Sequence, residues 1–297
     1  MKTKPIRQAT LPFELGEERA FGGLIVIPLF PSETSSLEYV GLDEATARGL
    51  AVTEVDESGS VGMLRVKNPL DDLVLLYEGE ELVGAKQNRI LTRTTLVAAR
   101  LTHEIPVACV EPGRWAYRTR RLAPAPRAAY PELRRVRHAA GVLEQGEVWN
   151  NVAAKQARFH SYSPTGASES LYEDRSATLD QYVHALPRLD GQSGALVGIA
   201  SELVCLDYVG RSDVFAGLYL KLLRGYALDA IERPVEKGLR RRAVERFLAA
   251  LREAKRRREP AVALGKEVRL EGRAIGSVLE HAGEVVALTA FNEGGEA

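Results

Sequence analysis

The sequence predicts an α+β protein: an N-terminal, antiparallel β-rich half of sandwich or open-barrel type, packed with a C-terminal helix-rich half that contains one β-hairpin. Three observations lead there. Up to about residue 115 the apolar residues come in short β-branched runs separated by Gly, Pro, Asn and Asp turns, the spacing of a sheet. Beyond residue 131 they recur three or four apart, the period of a helix face. Between the two, residues 118–137 are rich in Arg, Pro and Ala without either period and read as an exposed connection.

In chain order, residues 24–30 (Leu-Ile-Val-Ile-Pro-Leu-Phe) form the first strand, and Pro28 places it at an edge or a bulge. Residues 42–49 read as a short helix, with Asp43 and Glu44 in the first turn and Gly49 past its end. Strands follow at 50–55 and, after the Ser58-Gly59 turn, at 61–66. Residues 73–77 are a buried strand that delivers Glu78, and runs at 90–99 and 105–110 complete the β-rich half. Leu133, Val136, Ala140 and Leu143 then mark one helix, and Trp149, Val152 and Ala153 mark a second over 147–159. A third helix covers 177–186, and the apolar runs 195–200 and 203–208 form the hairpin. Ser212 caps a helix whose Val214, Phe215, Leu218, Tyr219, Leu222, Tyr226 and Ile231 share one face until Arg233-Pro234 stops it. A basic helix over 236–258 turns Val244, Phe247, Leu248 and Leu251 inward, and alternation at 268–274 and 285–291 predicts a terminal hairpin. The chain divides accordingly into a site-bearing half (1–117), a helical half forming one unit with it (118–233), and an extension (234–297).

Length and charge set limits on function. At 297 residues the chain buries a full core without staples. Forty basic and forty acidic side chains cancel, so no global field draws it to nucleic acid or an anionic membrane, and nucleic acid is disfavoured as a partner. Cys109 and Cys205 are the only cysteines, which together with the absence of an apolar leader fits a reduced, cytoplasmic setting. No run is long and apolar enough for a bilayer.

The residues that carry chemistry concentrate in Glu78-Gly-Glu-Glu-Leu-Val-Gly-Ala-Lys-Gln-Asn-Arg89 and Cys109-Val-Glu-Pro-Gly-Arg-Trp115. Glu78 and Glu111 both end strands. If those strands pair, they supply the two carboxylates that glycosidic hydrolysis requires, and they are the candidate catalytic residues. Glu80, Gln87, Asn88, Arg89, Arg114 and Trp115 are the candidate ligand-binding residues. The arginine forks suit phosphate, the amides suit a base edge or ribose hydroxyls, and the indole suits stacking. The plainer reading pairs the two glutamates with Arg89 and Arg114 as buried ion pairs. Cys109 lies in an apolar strand, where a thiol packs as a small hydrophobe. The five histidines are scattered and give no metal signature, and no cofactor is indicated, although carboxylates and a phosphate leave room for magnesium.

Four blocks resemble the ARG and rhodanese-phosphatase-superfamily-associated protein domain, a bacterial family. They are the Asn68-Pro69 region, the stretch from Glu78-Gly-Glu to Gln87-Asn-Arg89, Pro106-Val-Ala-Cys-Val-Glu-Pro-Gly-Arg-Trp115, and a late block from Val197 through Leu222-Leu-Arg-Gly-Tyr-Ala-Leu-Asp-Ala230. Val148-Trp149 and Gln156 add to it. Ala85 stands where the family prefers glycine, and the segment after Arg233 falls outside the resemblance. The family name records gene association with ADP-ribosylglycohydrolases, so the resemblance implies a small nucleotide such as ADP-ribose or another NAD-derived molecule as ligand. A non-catalytic domain that recognises a protein partner through the same surface is the alternative.

Overall fold

The structure is a computed structural model describing residues 11–140, 144–235 and 238–293. Leu143 and Glu236 lie outside them. Strands β1 (Phe13–Leu15), β2 (Arg19–Phe21), β3 (Leu24–Pro31) and β4 (Tyr39–Gly41) lead into helix α1 (Leu42–Ala47). Then come β5 (Ala51–Glu54), β6 (Met63–Lys67), β7 (Leu73–Leu76), β8 (Glu80–Gly84), β9 (Arg89–Leu91), β10 (Thr95–Val97), β11 (Thr102–Cys109) and β12 (Leu122–Ala128). Helices α2 (Pro131–Ala140), α3 (Gln145–Phe159), α4 (Glu169–Glu173) and α5 (Ser176–Ala185) precede the hairpin β13 (Gly194–Ile199) and β14 (Glu202–Val209). The chain continues through α6 (Ser212–Ile231), α7 (Arg241–Glu253), β15 (Lys255–Glu259), β16 (Lys266–Glu271), β17 (Ala274–His281) and β18 (Glu284–Asn292).

Three sheets result. Strands β11-β6-β5-β12-β8-β9 close into a six-stranded barrel, β10-β7-β4 form a small sheet, and the order β1-β3-β13-β14-β18-β17-β16-β15, with β2 also on β3, makes a nine-stranded sheet. Both faces of the large sheet are covered. On β13, Ala195, Val197 and Ile199 face the core that includes α6, while Leu196 faces the core built with α7. That two-sided burial is why its strands read as continuous apolar runs. The hairpin turn at Ala200-Ser201 has positive φ at both residues, as a two-residue turn of matching twist requires. The third core fills the barrel with Val52, Leu64, Val66, Leu82, Ile105, Val107 and Leu122.

The α+β expectation holds, with four corrections. The barrel is closed. The C-terminal region contributes six strands, and its last strand lies inside the large sheet between β14 and β17. Residues 118–137 are mostly ordered as β12 and the start of α2: the prolines Pro124 and Pro126 sit on a strand whose register breaks between Pro124 and Ala128, and Arg127 and Arg134 are buried in ion pairs. The cluster at 255–258 is the exposed edge strand β15, because α7 ends at Glu253. Smaller details follow the same pattern. Pro28 sits at the gap between β1 and β2, where its carbonyl accepts from Gly16 N. Ser212 begins α6, and Arg211 rather than Ser212 is the capping position.

Candidate functional site

The turn from β8 to β9 is the centre of the site. Ala85 has φ +38, a left-handed conformation that glycine adopts more easily, so the loop 85–88 is held tightly by its surroundings. Arg114 is the clamp. Its Nη1 donates to the carbonyl oxygens of Ala85 (2.6 Å) and Ala116 (2.9 Å), and its Nη2 to Gly84 O, Asn88 Oδ1 and Glu111 Oε2 (2.6 Å). Glu111 also accepts from Asn88 N (3.0 Å) and from Thr165 Oγ1 (3.0 Å), while Gln87 Nε2 donates to the Glu111 carbonyl. Burial opposes ionisation of Glu111, but Arg114, the Asn88 amide and Thr165 outweigh it and hold the carboxyl below its usual range.

Arg89 lies beneath this clamp, opposite Cys109 in the β9–β11 ladder. It is 0 % exposed, and among the described residues it forms no ion pair. Among the described residues the only hydrogen bond of its guanidinium is a long one (3.5 Å) from Nη1 to the Asn88 carbonyl, and Nε and Nη2 have none. Burial pushes the guanidinium below its usual range, with Cys109 and Glu54 pulling the other way. Glu54, which sequence reasoning passed over, completes the floor: Oε1 accepts from Lys86 N (3.1 Å) and Oε2 is unpaired. It shares the inward face of β5 with Val52, and an acid at an inward position of an alternating strand was the available signal.

Gln87 Oε1, Asn88 Nδ2 and Arg114 Nε are likewise buried without partners, so six unpaired polar atoms gather here. The loop between β5 and β6 covers them. Lys86 Nζ donates to the carbonyls of Glu57 (2.6 Å) and Ser58 (2.7 Å), and a Cβ added at Gly59 would come within 3.1–3.3 Å of Lys86, Glu54 Oε2 and Trp115. Trp115, 45 % exposed, is approached by Lys86 at 5.2 Å and Arg89 at 5.6 Å, and Tyr117 flanks it at 38 % exposure. Cys109 is buried, and burial pushes its thiol up. It packs as a core residue.

The remaining expected site residues lie elsewhere. Glu78 turns toward α2 and the large sheet, where Oε1 meets His138 Nε2 at 2.8 Å and Arg134 and Arg137 approach at 3.6 and 3.5 Å. Burial raises its pKa, but His138, Arg134 and Arg137 together bring it down to about 2. Arg134 in turn holds Asp207 through both nitrogens, and Tyr77 and Tyr226 donate to the same carboxylate. Glu80 accepts from Tyr77 N and pairs with Lys221 (2.8 Å), which also reaches Asp43 beside a cleft of about 400 Å³ including its open mouth. Glu78, Glu80 and Glu111 therefore belong to three separate networks. The expected pairing of Glu78 with Glu111 does not form, because the strands that precede them do not pair: β7 lies in the small sheet with β10 and β4, whereas β11 lies in the barrel beside β6 and β9.

The carboxylates that come together are Glu132, Asp229 and Glu232, whose oxygens lie within 4.8 Å of one another, and the buried Lys155 amine sits against all three at 2.6–3.2 Å. That ammonium does there what a metal ion would.

The fold and site define an α+β protein with a closed barrel whose end buries an arginine that, among the described residues, forms no ion pair. The family model described as ARG and Rhodanese-Phosphatase-superfamily-associated Protein domain matches residues 12–291, so the chain belongs to that family, and the match extends past Arg233 to include α7 and the last strands. Comparison with curated proteins and with solved structures finds no match. Among the described residues no helix is long and apolar enough to cross a membrane.

Proposed function

We propose that the protein binds a small phosphate-bearing ligand at the Arg89 site, a nucleotide of the ADP-ribose type being the leading class. One observation carries the reading: a fully buried guanidinium that, among the described residues, has two unpaired nitrogens and no ion pair. A buried charge is costly unless it is paired, and a planar fork with free N–H groups is suited to a phosphate. Arg114 and Lys86 add positive charge beside it, and Trp115 offers an aromatic face at the rim.

The hydrolytic half of the expectation has less behind it. A general acid needs a carboxyl that is protonated near neutral pH. Glu78 is held at about 2 and Glu111 is lowered, so binding is the activity that this arrangement favours. The alternative, recognition of a protein partner, draws on the exposed Trp115 and Tyr117.

The test is thermal shift and calorimetry with ADP-ribose, AMP and inorganic phosphate, on wild type and on Arg89→Met. A ligand at a hundred times its Kd adds about 2.7 kcal/mol of stability. A shift in wild type that vanishes in Arg89→Met supports the site. Absence of any shift, with the wild type folded, would sink it and leave the protein-partner reading.

A further inference from the structure

We infer that the ligand of the Arg89 site is a polyhydroxylated phosphate, a sugar phosphate of the ribose phosphate kind, and that Glu54 reads its hydroxyls. This deepens the anion-binding reading and rests on it. The unpaired atoms are of two classes. Arg89 Nε and Nη2, Arg114 Nε and Asn88 Nδ2 are donors, whereas Glu54 Oε2 and Gln87 Oε1 are acceptors. The dianionic phosphoryl group of a phosphate ester, which carries no O–H, answers only the first class. It would leave both acceptors unpaired and bring its own charge against the Glu54 carboxylate, which acts on Arg89 from beyond hydrogen-bonding distance. The ligand must therefore present donors as well as anionic oxygens.

Those donors are hydroxyls rather than an ammonium. Arg89 and Arg114 act on Glu54 and Glu111, the Lys86 ammonium is held nearby by the Glu57 and Ser58 carbonyls, and Glu111 is already bonded to Arg114 at 2.6 Å. An ammonium at Glu54 Oε2 would sit beside the Arg89 guanidinium and compete with it for a carboxylate that acts on it, whereas neutral hydroxyls can donate to a carboxylate and an amide oxygen without repulsion. The loop carrying Gly59 must lift for such a ligand to reach Glu54, since it rests on Lys86, Glu54 and Trp115.

Calorimetry with inorganic phosphate, ribose 5-phosphate, pentyl phosphate and phosphoethanolamine tests this on the wild-type protein. Ribose 5-phosphate and pentyl phosphate share a five-carbon body and differ in the hydroxyls. Hydrogen bonds to a charged acceptor predict that ribose 5-phosphate binds at least about tenfold tighter. In Glu54→Gln, which keeps one oxygen for Lys86 N and converts the other into a donor, that preference should fall below about threefold. The wild-type comparison stands even if the variant fails to fold. Equal binding of ribose 5-phosphate and pentyl phosphate overturns the hydroxyl inference while leaving the anion reading intact. Tightest binding by phosphoethanolamine also overturns it, and no binding by any of the four overturns both.

Discussion

Replacing Arg89 by methionine should make the ligand-free protein more stable. Two buried nitrogens, Nε and Nη2, whose N–H groups lack acceptors cost about 1–3 kcal/mol each, or about 2–6 kcal/mol together. Against that, the contact with Trp115 at 5.6 Å is worth about 1–2 kcal/mol. Methionine has similar length and adapts to an irregular space, so lost packing is small. The expected net gain is about 2 kcal/mol, in line with the roughly 1–4 kcal/mol found when buried ionic groups give way to hydrophobic ones. At about 2–4 °C per kcal/mol for a chain of this size, Tm rises by about 4–8 °C. Thermal melts without ligand, checked by urea midpoints, measure it. A Tm lowered by several degrees would refute the reasoning, because it would mean that Arg89 braces the barrel through Glu54 or Glu111 and is not held in reserve for a ligand.

Three further outcomes are expected. Glu78 has its pKa depressed from 4.5 to about 2, so its contribution to stability is present above pH 4.5 and is lost as pH falls toward 2. At about 1.4 kcal/mol per pH unit this amounts to about 3 kcal/mol. The stability gap between wild type and Glu78→Gln, read from urea midpoints, should narrow on that descent, and a gap constant from about pH 6 to about pH 3 contradicts it. Lys155→Met leaves Glu132, Asp229 and Glu232 without their buried cation, which should cost about 3–5 kcal/mol, and millimolar calcium should recover part of the lost Tm in the variant only. Gly225→Ala sets a helix-propensity gain of about 1 kcal/mol against a Cβ placed 2.9 Å from the Ala128 carbonyl, where overpacking costs about 1–3 kcal/mol. The variant should therefore melt lower than wild type. A higher Tm would show that α6 and β12 are not in such close contact.

Elements whose signal is local were legible in the sequence. The helix Ser212–Ile231 and the hairpin β13–β14 follow from periodicity and turn chemistry alone, and the Gln87-Asn-Arg89 and Glu111 to Trp115 strings do meet at one place. What escaped depends on partners far along the chain. Arg127 looks like an exposed charge until Glu81, 46 residues earlier, is found beside it, and with it β12 looks like a linker. Glu78 and Glu80 sit two residues apart, yet one is claimed by His138 and the other by Lys221, which is 141 residues away. No spacing rule separates two such neighbours. Glu54 was missed for the opposite reason: a single acid in a short strand carries little weight until its inward parity is considered.

The position of β18 has a consequence for how the chain reaches this state. Strand β3 finds β13 only after some 160 intervening residues have been made, and β14 meets β18 later still. The Tyr77 hydroxyl that anchors Asp207 also reaches the Leu288 carbonyl, 211 residues onward. Such distant pairings close large loops before any contact rewards them, which slows folding. During synthesis the barrel strands, all within residues 51–128, can assemble first, while β3, β13 and β14 wait with apolar faces and open ladder edges. The interval before residues 284–292 emerge is therefore when the nascent chain is most exposed to aggregation and most in need of a chaperone.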